Sequence, residues 1–381
     1  MHTPLPPTQI VPVIDHLIPY VKRREIAGAV ILVAQRGEIR EFAAHGYADL
    51  ETQRPMQQND VFWVASMTKP IVAAAILTLV DDGKLAIDDP VEKYLPEFKE
   101  RWTVAEKSDD RIVLERSHPL TLRHLLAHTD GLAPLDLPHW ETPLAEWVAS
   151  IARQPLSFQP NTRWAYNNSG LNTLGRIVEV VAEQSLPAFL QDRFFTPLGM
   201  EDTTFILSPE QYRRLATTYR FSTEDQSLTP VPLGMFKGSL TSPRLTIFPG
   251  GGLFSTAMDM YRFYQMLLNR GVSDGKRYLS EASYTEMTTC QTGEFETGFI
   301  DGMCFGLGVG LVANPTGLSA MLSPGTFGHG GAYGTQAWVD PIRQSVSILM
   351  CQRSNFVPNP DASEMRQVFN IAVAGLVEFN V

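Results

Sequence analysis

Apolar residues at Ile10, Val13, Ile14, Leu17, Ile18 and Val21 recur at the three-to-four spacing of one helix face, which predicts an amphipathic helix over about residues 8–24. The period then shortens. Ala29–Ala34 and Ile39–Ala43 are apolar runs on either side of Gln35-Arg36-Gly37, the pattern of a β-hairpin. Further on, the aromatic run Val61-Phe62-Trp63-Val64 has strand character and meets a long apolar helical stretch, Pro70 to Val80, that stops near Asp81-Asp82-Gly83. Asp88-Asp89-Pro90 opens a short helical segment ending at Tyr94-Leu95-Pro96.

From there to about residue 250 strand signals are sparse. Leu120–His128, Ala145–Arg153, Ser169–Gln184 and Leu186–Phe195 read as helices separated by proline-rich loops, and Ser208–Pro249, rich in Thr, Ser, Pro and Gly, reads as long loops. After a helix over Thr256–Arg270, strand character returns in Phe305–Val312, Gly334–Val339 and Ser345–Gln352, and a helix from about Ala362 to Val377 follows. Strands near both ends with helices between them predict an α+β fold: one antiparallel sheet built from the two ends of the chain, flanked by helices, and a mostly helical second lobe. The expected division is 1–95 with 300–381 against 96–299, with the active site between the lobes.

Composition changes this picture mainly by exclusion. A chain of 381 residues that is 44% hydrophobic and 19% charged has ample material for a core. The formal net charge is -10 and basic residues form no run, which argues against nucleic acid or an anionic membrane as partner. The longest apolar run is far shorter than the roughly 20 residues of a membrane span. The start, Met1-His2-Thr3-Pro4, does not resemble a secretory signal, so a cytoplasmic location is expected. Three scattered cysteines, Cys290, Cys304 and Cys351, argue against a metal cluster or thiol catalysis and for a reducing compartment.

Candidate chemistry lies where the aromatic run meets the helix. Pro70 belongs in a first helical turn, so the helix begins close to Ser66, and three residues along a helix bring Lys69 to the same face. A nucleophile then has a base beside it. The spacing alone is weak, and it recurs in Ser273-Asp274-Gly275-Lys276, a turn that no apolar helix follows. Two further polar clusters occur in a fixed order: Tyr166-Asn167-Asn168 before a helix, and His329-Gly330-Gly331 before a strand.

With these three motifs, and with framework segments such as Leu122–Leu132, Pro197-Leu198-Gly199-Met200 and Gly251–Ala257, the sequence resembles the serine β-lactamase and penicillin-binding protein superfamily, in particular the class C β-lactamase-like branch that includes family VIII carboxylesterases. The likeness runs from about residue 25 onward. It implies the β-lactamase-like fold and an acyl-enzyme on Ser66, with Lys69 and Tyr166 sharing the general base and acid work. It also implies an oxyanion hole of the Ser66 and Ala332 backbone N–H groups. Asn168 would position substrate or Lys69, and Gly330 and Gly331 would let substrate approach the strand closely. His329 and Tyr333 would line the substrate site.

One departure bears on substrate. Where the antibiotic-acting members carry Lys-Thr-Gly, this chain has His329-Gly330-Gly331, and a histidine with an ordinary pKa near 6.5 is mostly neutral at pH 7. Affinity for a carboxylate-bearing β-lactam should fall and neutral esters become the expected substrates. The expectation is a hydrolase of small carboxylic esters that uses no metal and no cofactor. Alternatives on the same site are a β-lactamase, a peptidase for D-amino acids or an acyltransferase; a silent binding or scaffold protein is a further one. There is no Gly-x-Ser-x-Gly elbow. His124 and His128, four residues apart, are read as structural and Gly250-Gly251-Gly252 as a tight turn. Trp338, Met235 and Phe236 are candidates for an acyl pocket.

Overall fold

The computed structural model describes residues 11–108, 112–135, 139–233 and 239–377. Its centre is the strand β1 (Gly28–Gln35), whose eight residues are all buried. The sequence requires this, because the run Ala29–Ala34 is apolar at every position rather than at alternate ones. Val30, Leu32 and Ala34 enter the main core, while Ala29, Ile31 and Val33 enter a second cluster with Val13, Leu17, Phe369 and Val373.

Seven more strands complete an antiparallel sheet. In chain order they are β2 (Glu38–Asp49), β3 (Arg54–Pro55), β4 (Met303–Phe305), β5 (Gly310–Val312), β6 (Phe327–Gly330), β7 (Gln336–Asp340) and β8 (Ser345–Met350). Spatially the order is β4-β5-β6-β7-β8-β1-β2-β3. The two ends of the chain meet where Val30 pairs with Met350 and Leu32 with Ile348. Helix α1 (Thr68–Asp81) lies inside the molecule, buried from Thr68 through Leu79. A helix that is apolar all round belongs in the interior. It packs between the sheet and α2 (Ser169–Ala182). Helix α3 (Ala257–Leu268) lies against β7 and β8. The last helix, α4 (Glu364–Leu376), adds Met365, Phe369 and Val373 to the second cluster.

Several expectations need correction. The helix expected over 8–24 is, within the described residues, a 3₁₀ turn Val13–His16 followed by an α-turn Ile18–Lys22. Pro12 and Pro19 each stand at a helix start, the only place proline fits. The strand expected over 305–312 is two strands, folded back at Gly306–Gly308 with Gly308 at φ +73. The segment after Pro90 is a single 3₁₀ turn, Val91–Lys93. The middle of the chain holds two hairpins, Trp102–Lys107 with Ile112–Arg116 and Tyr219–Ser222 with Ser227–Pro230. The second hairpin and a short helix, Pro209–Arg214, lie where only loops were expected. Most residues of Ile112–Arg116 and of Ser227–Pro230 are exposed or half-buried, so local pairing rather than core burial carries these strands and hydrophobic periodicity misses them.

Candidate active site

The strand Phe62–Trp63 pairs with Phe254–Ser255 and delivers the chain to Ala65, which has φ +47. That region is strained for a residue with a Cβ, at a cost of about 1–3 kcal/mol, and such strain gathers at functional sites. Ser66 follows in a one-turn 3₁₀ helix, Ala65–Met67, that runs into α1. The turn is held from behind, since the Thr68 hydroxyl donates to Ala65 O at 2.6 Å and accepts from Leu253 N at 3.1 Å.

Lys69, fully buried one helical turn on, places Nζ 3.1 Å from Ser66 Oγ, 2.7 Å from Asn168 Oδ1 and 2.5 Å from Gly250 O. Burial lowers its pKa well below that of an ordinary lysine, and no ion pair to a carboxylate among the described residues offsets this. Nζ donates to all three oxygens, and on losing one proton it keeps two N–H groups for Asn168 and Gly250 and turns a lone pair to the Ser66 hydroxyl.

Tyr166 and Asn168 come from the loop that starts α2. The Tyr166 ring centre is 4.7 Å from Lys69 Nζ, and its hydroxyl hydrogen-bonds Ser66. Burial pushes the phenol far up, against a smaller downward pull from Ser66, so it stays protonated. The loop is pinned by Asn167, whose Oδ1 accepts from Gly170 N at 2.9 Å and whose Nδ2 donates to both oxygens of buried Asp130 at 3.1 and 3.2 Å. Burial raises Asp130 to about 7, while hydrogen bonds from Leu132 N and Asn167 pull it down. His128 stacks on Tyr166 with ring centres 4.6 Å apart. His124 Nδ1 accepts from Thr121 N in a helix cap, and His128 Nδ1 accepts from Asn167 N at 3.5 Å.

The third motif sits before β7, as expected, and also ends β6: His329 pairs with Ala337 and Gly330 with Gln336. His329 Nδ1 donates to Gly330 O at 2.6 Å, which leaves Nε2 an unprotonated acceptor, buried and without a partner among the described residues. Burial drives its pKa down to about 3, and the nearby Lys69 adds to the shift. Tyr333 packs on Trp63, with ring centres 4.6 Å apart. The glycines also have a reason within the protein. A Cβ on Gly330 would lie 2.5 Å from Arg366 Nη1 and from Asp361 Oδ1, and one on Gly331 would lie 2.6 Å from Val64 O. Ala332 lies exposed in the turn that follows. Beside this wall is a small, mainly apolar pocket lined by residues that include Phe299, Ile300, Met303, Phe305, His329 and Trp338. Met235 and Phe236 lie outside the described residues.

The folded chain thus brings together Ser66, Lys69, Tyr166, Asn168 and His329 from three separate segments. Sequence reading missed three supports. Gly250 was read only as part of a turn, yet its carbonyl holds Lys69, and a Cβ there would lie 2.9 Å from the Asn168 Cβ. The run of three glycines was the available signal. Asp130 and Arg366 carried none.

Among known proteins, the family described as Beta-lactamase matches residues 13–368. The chain belongs to the beta-lactamase family. Within it, the chain is similar to protein Rv1367c of Mycobacterium tuberculosis strain H37Rv, 35% identical over 352 residues and covering 86% of either chain. It is also similar to Esterase EstB of Burkholderia gladioli, 31% identical over 352 residues and covering 84% of either chain. Its fold is that of simvastatin synthase (LovD) from Aspergillus terreus, with a TM-score of 0.80 at 22% identity, over 95% of this chain and 97% of that one. The beta-lactamase-like fold expected from sequence therefore stands. At the coarser level the relatives support, this member is a serine hydrolase.

Proposed function

We propose that the protein is a carboxylesterase that cleaves small uncharged esters through an acyl-Ser66 intermediate. The observation that carries this reading is the pairing of a buried, carboxylate-free Lys69 amine with the Ser66 hydroxyl at 3.1 Å, facing a third motif whose histidine is held neutral. Similarity to Esterase EstB supports it.

In this reading Lys69 Nζ takes the Ser66 proton as Oγ bonds to the ester carbon. The resulting oxyanion lies between the N–H groups of Ser66 and Ala332. The C–O bond then breaks, and the Tyr166 hydroxyl protonates the departing alkoxide while it recovers a proton from the Lys69 ammonium. A free phenol kept protonated by burial is the acid, and the depressed lysine is the base. Water repeats the sequence to release the acid. Asn168 fixes the Lys69 rotamer, and His329 and Tyr333 wall the site. A β-lactamase or peptidase reading is disfavoured because a substrate carboxylate would meet an uncharged His329. The free thiols Cys290, Cys304 and Cys351 support a cytoplasmic location; no helix among the described residues is long and apolar enough to cross a membrane.

The test is hydrolysis of p-nitrophenyl butyrate by wild type and Ser66→Ala at equal folded concentration, with nitrocefin alongside. The expected loss in the variant is about 10⁴-fold or more. An inactive wild type, or an equally active variant, overturns the reading; faster turnover of nitrocefin than of the ester transfers it to β-lactams.

A further inference from the structure

Arg366, in the first turn of α4, is fully buried yet forms its only described carboxylate pair with Asp361, at 2.8 Å. The rest of its guanidinium is turned to backbone oxygens. Nη2 donates to Gly331 O at 2.7 Å and to Thr335 O, and Nε to Gly334 O at 3.5 Å. These carbonyls bracket the turn that holds Ala332. The turn also closes on itself, through Gly331 N to Thr335 O at 2.7 Å and Gly334 N to Gly331 O at 3.1 Å. It is tied to the nucleophile's strand by the Thr335 hydroxyl, which donates to Val64 O at 3.2 Å. Among the described residues no hydrogen bond uses the Ala332 N–H.

Burying a cation in this way is a poor device for stability alone, because a well-packed apolar side chain of similar volume usually serves as well. What a planar, forked cation does that an apolar residue cannot is hold several carbonyls in one fixed arrangement. The covalent connection matters more. Gly331 O and Ala332 N–H are the two ends of one peptide group, so a cation bonded to that oxygen draws charge from it and makes the N–H a stronger donor. Hydrogen bonds in a chain reinforce one another in this way where the dielectric is low.

We propose that Arg366 is the positioning residue of the oxyanion hole: it fixes the Gly331–Ala332 peptide and polarises it so that the Ala332 N–H meets the developing oxyanion. The inference rests on the acyl-Ser66 reading above. Arg366 itself touches neither substrate nor reacting atoms. It also accounts for the middle glycine of the motif, since any side chain at Gly330 would collide with the guanidinium.

The experiment compares wild type, Arg366→Lys and Arg366→Met on p-nitrophenyl butyrate, with kcat referred to active sites counted from the acyl-enzyme burst so that unfolded protein does not enter. Affinity for butaneboronic acid, whose tetrahedral adduct puts an oxygen in the hole, is measured in parallel. Expected are a kcat lower by about 100-fold in Arg366→Met and about 10-fold in Arg366→Lys, KM within about threefold, and boronate affinity falling with kcat. Either variant with kcat and boronate affinity within twofold of wild type overturns the inference, as does a loss confined to melting temperature. If Ser66→Ala retains activity, the hydrolase reading fails instead; if Ser66→Ala is dead while the Arg366 variants match wild type, only this inference fails.

Discussion

The two walls of the site are built on opposite principles. On the wall of α1 and α2, every polar atom of Lys69 is matched at 2.5–3.1 Å by Ser66, Asn168 or Gly250, and the loop behind is pinned by Asn167 and Asp130. On the wall of β6, His329 keeps a buried nitrogen unmatched and adjoins an apolar cavity. A fully matched network admits one arrangement and suits proton transfer, whereas a wall whose histidine is neutral selects substrate by what it declines to bind. On the proposed reading, proton transfer and the choice of substrate are thereby placed on different segments of the chain.

The sharpest way to break this contrast is at the matched wall. Lys69→Met should lower kcat by about 10³-fold or more in steady-state ester hydrolysis, with Tyr166→Phe about 10²-fold down. Near wild-type turnover in either would remove the division of roles. The acidic limb of the pH–kcat profile should follow Lys69, since His128 and His329 are both driven below their ordinary values and stay neutral through the working range.

A smaller effect probes the support behind that wall. The Asp130 carboxyl has a folded pKa of about 7, above its unfolded value, so the folded state holds a proton that the unfolded chain has released. Stability must therefore fall as pH rises from about 4 to about 7 and change no further above that. Urea unfolding at pH 5 and pH 8 should show this slope, and Asp130→Asn should flatten it. A slope unchanged in the variant would assign it elsewhere. The least effect is expected on the unmatched wall. His329→Phe should keep ester kcat within about threefold and leave the acidic limb in place; a large loss would mean that the histidine carries a proton or a charge after all.

These contrasts also explain what could be read in advance. Ser66 and Lys69 are neighbours through helical spacing, and Tyr166 and Asn168 lie in one loop, so local sequence was enough to group each pair. The all-apolar β1 announced a strand buried on both faces. Gly250, Asp130 and Arg366 act through long-range bonds, largely to backbone groups, and because every residue has a carbonyl no pattern of side chains marks such a partner. The strand after His329 was legible, but β6, which ends at Gly330, was not, because the glycines in Phe327–Gly330 leave no alternating pattern. The hairpins over 102–116 and 219–230 escaped because pairing, not burial, forms them.

The sheet pairs Val30 with Met350, and the site inherits that span. During synthesis the nucleophile is made early, but its oxyanion turn and the arginine behind it emerge roughly 260–300 residues later, a delay of tens of seconds at usual elongation rates. Through that interval a nascent chain carries Ser66 and Lys69 with no partner strand to assemble against. On the proposed reading, a chain that stops before α4 holds Ser66 and Lys69 but lacks Arg366, and it should not turn over ester.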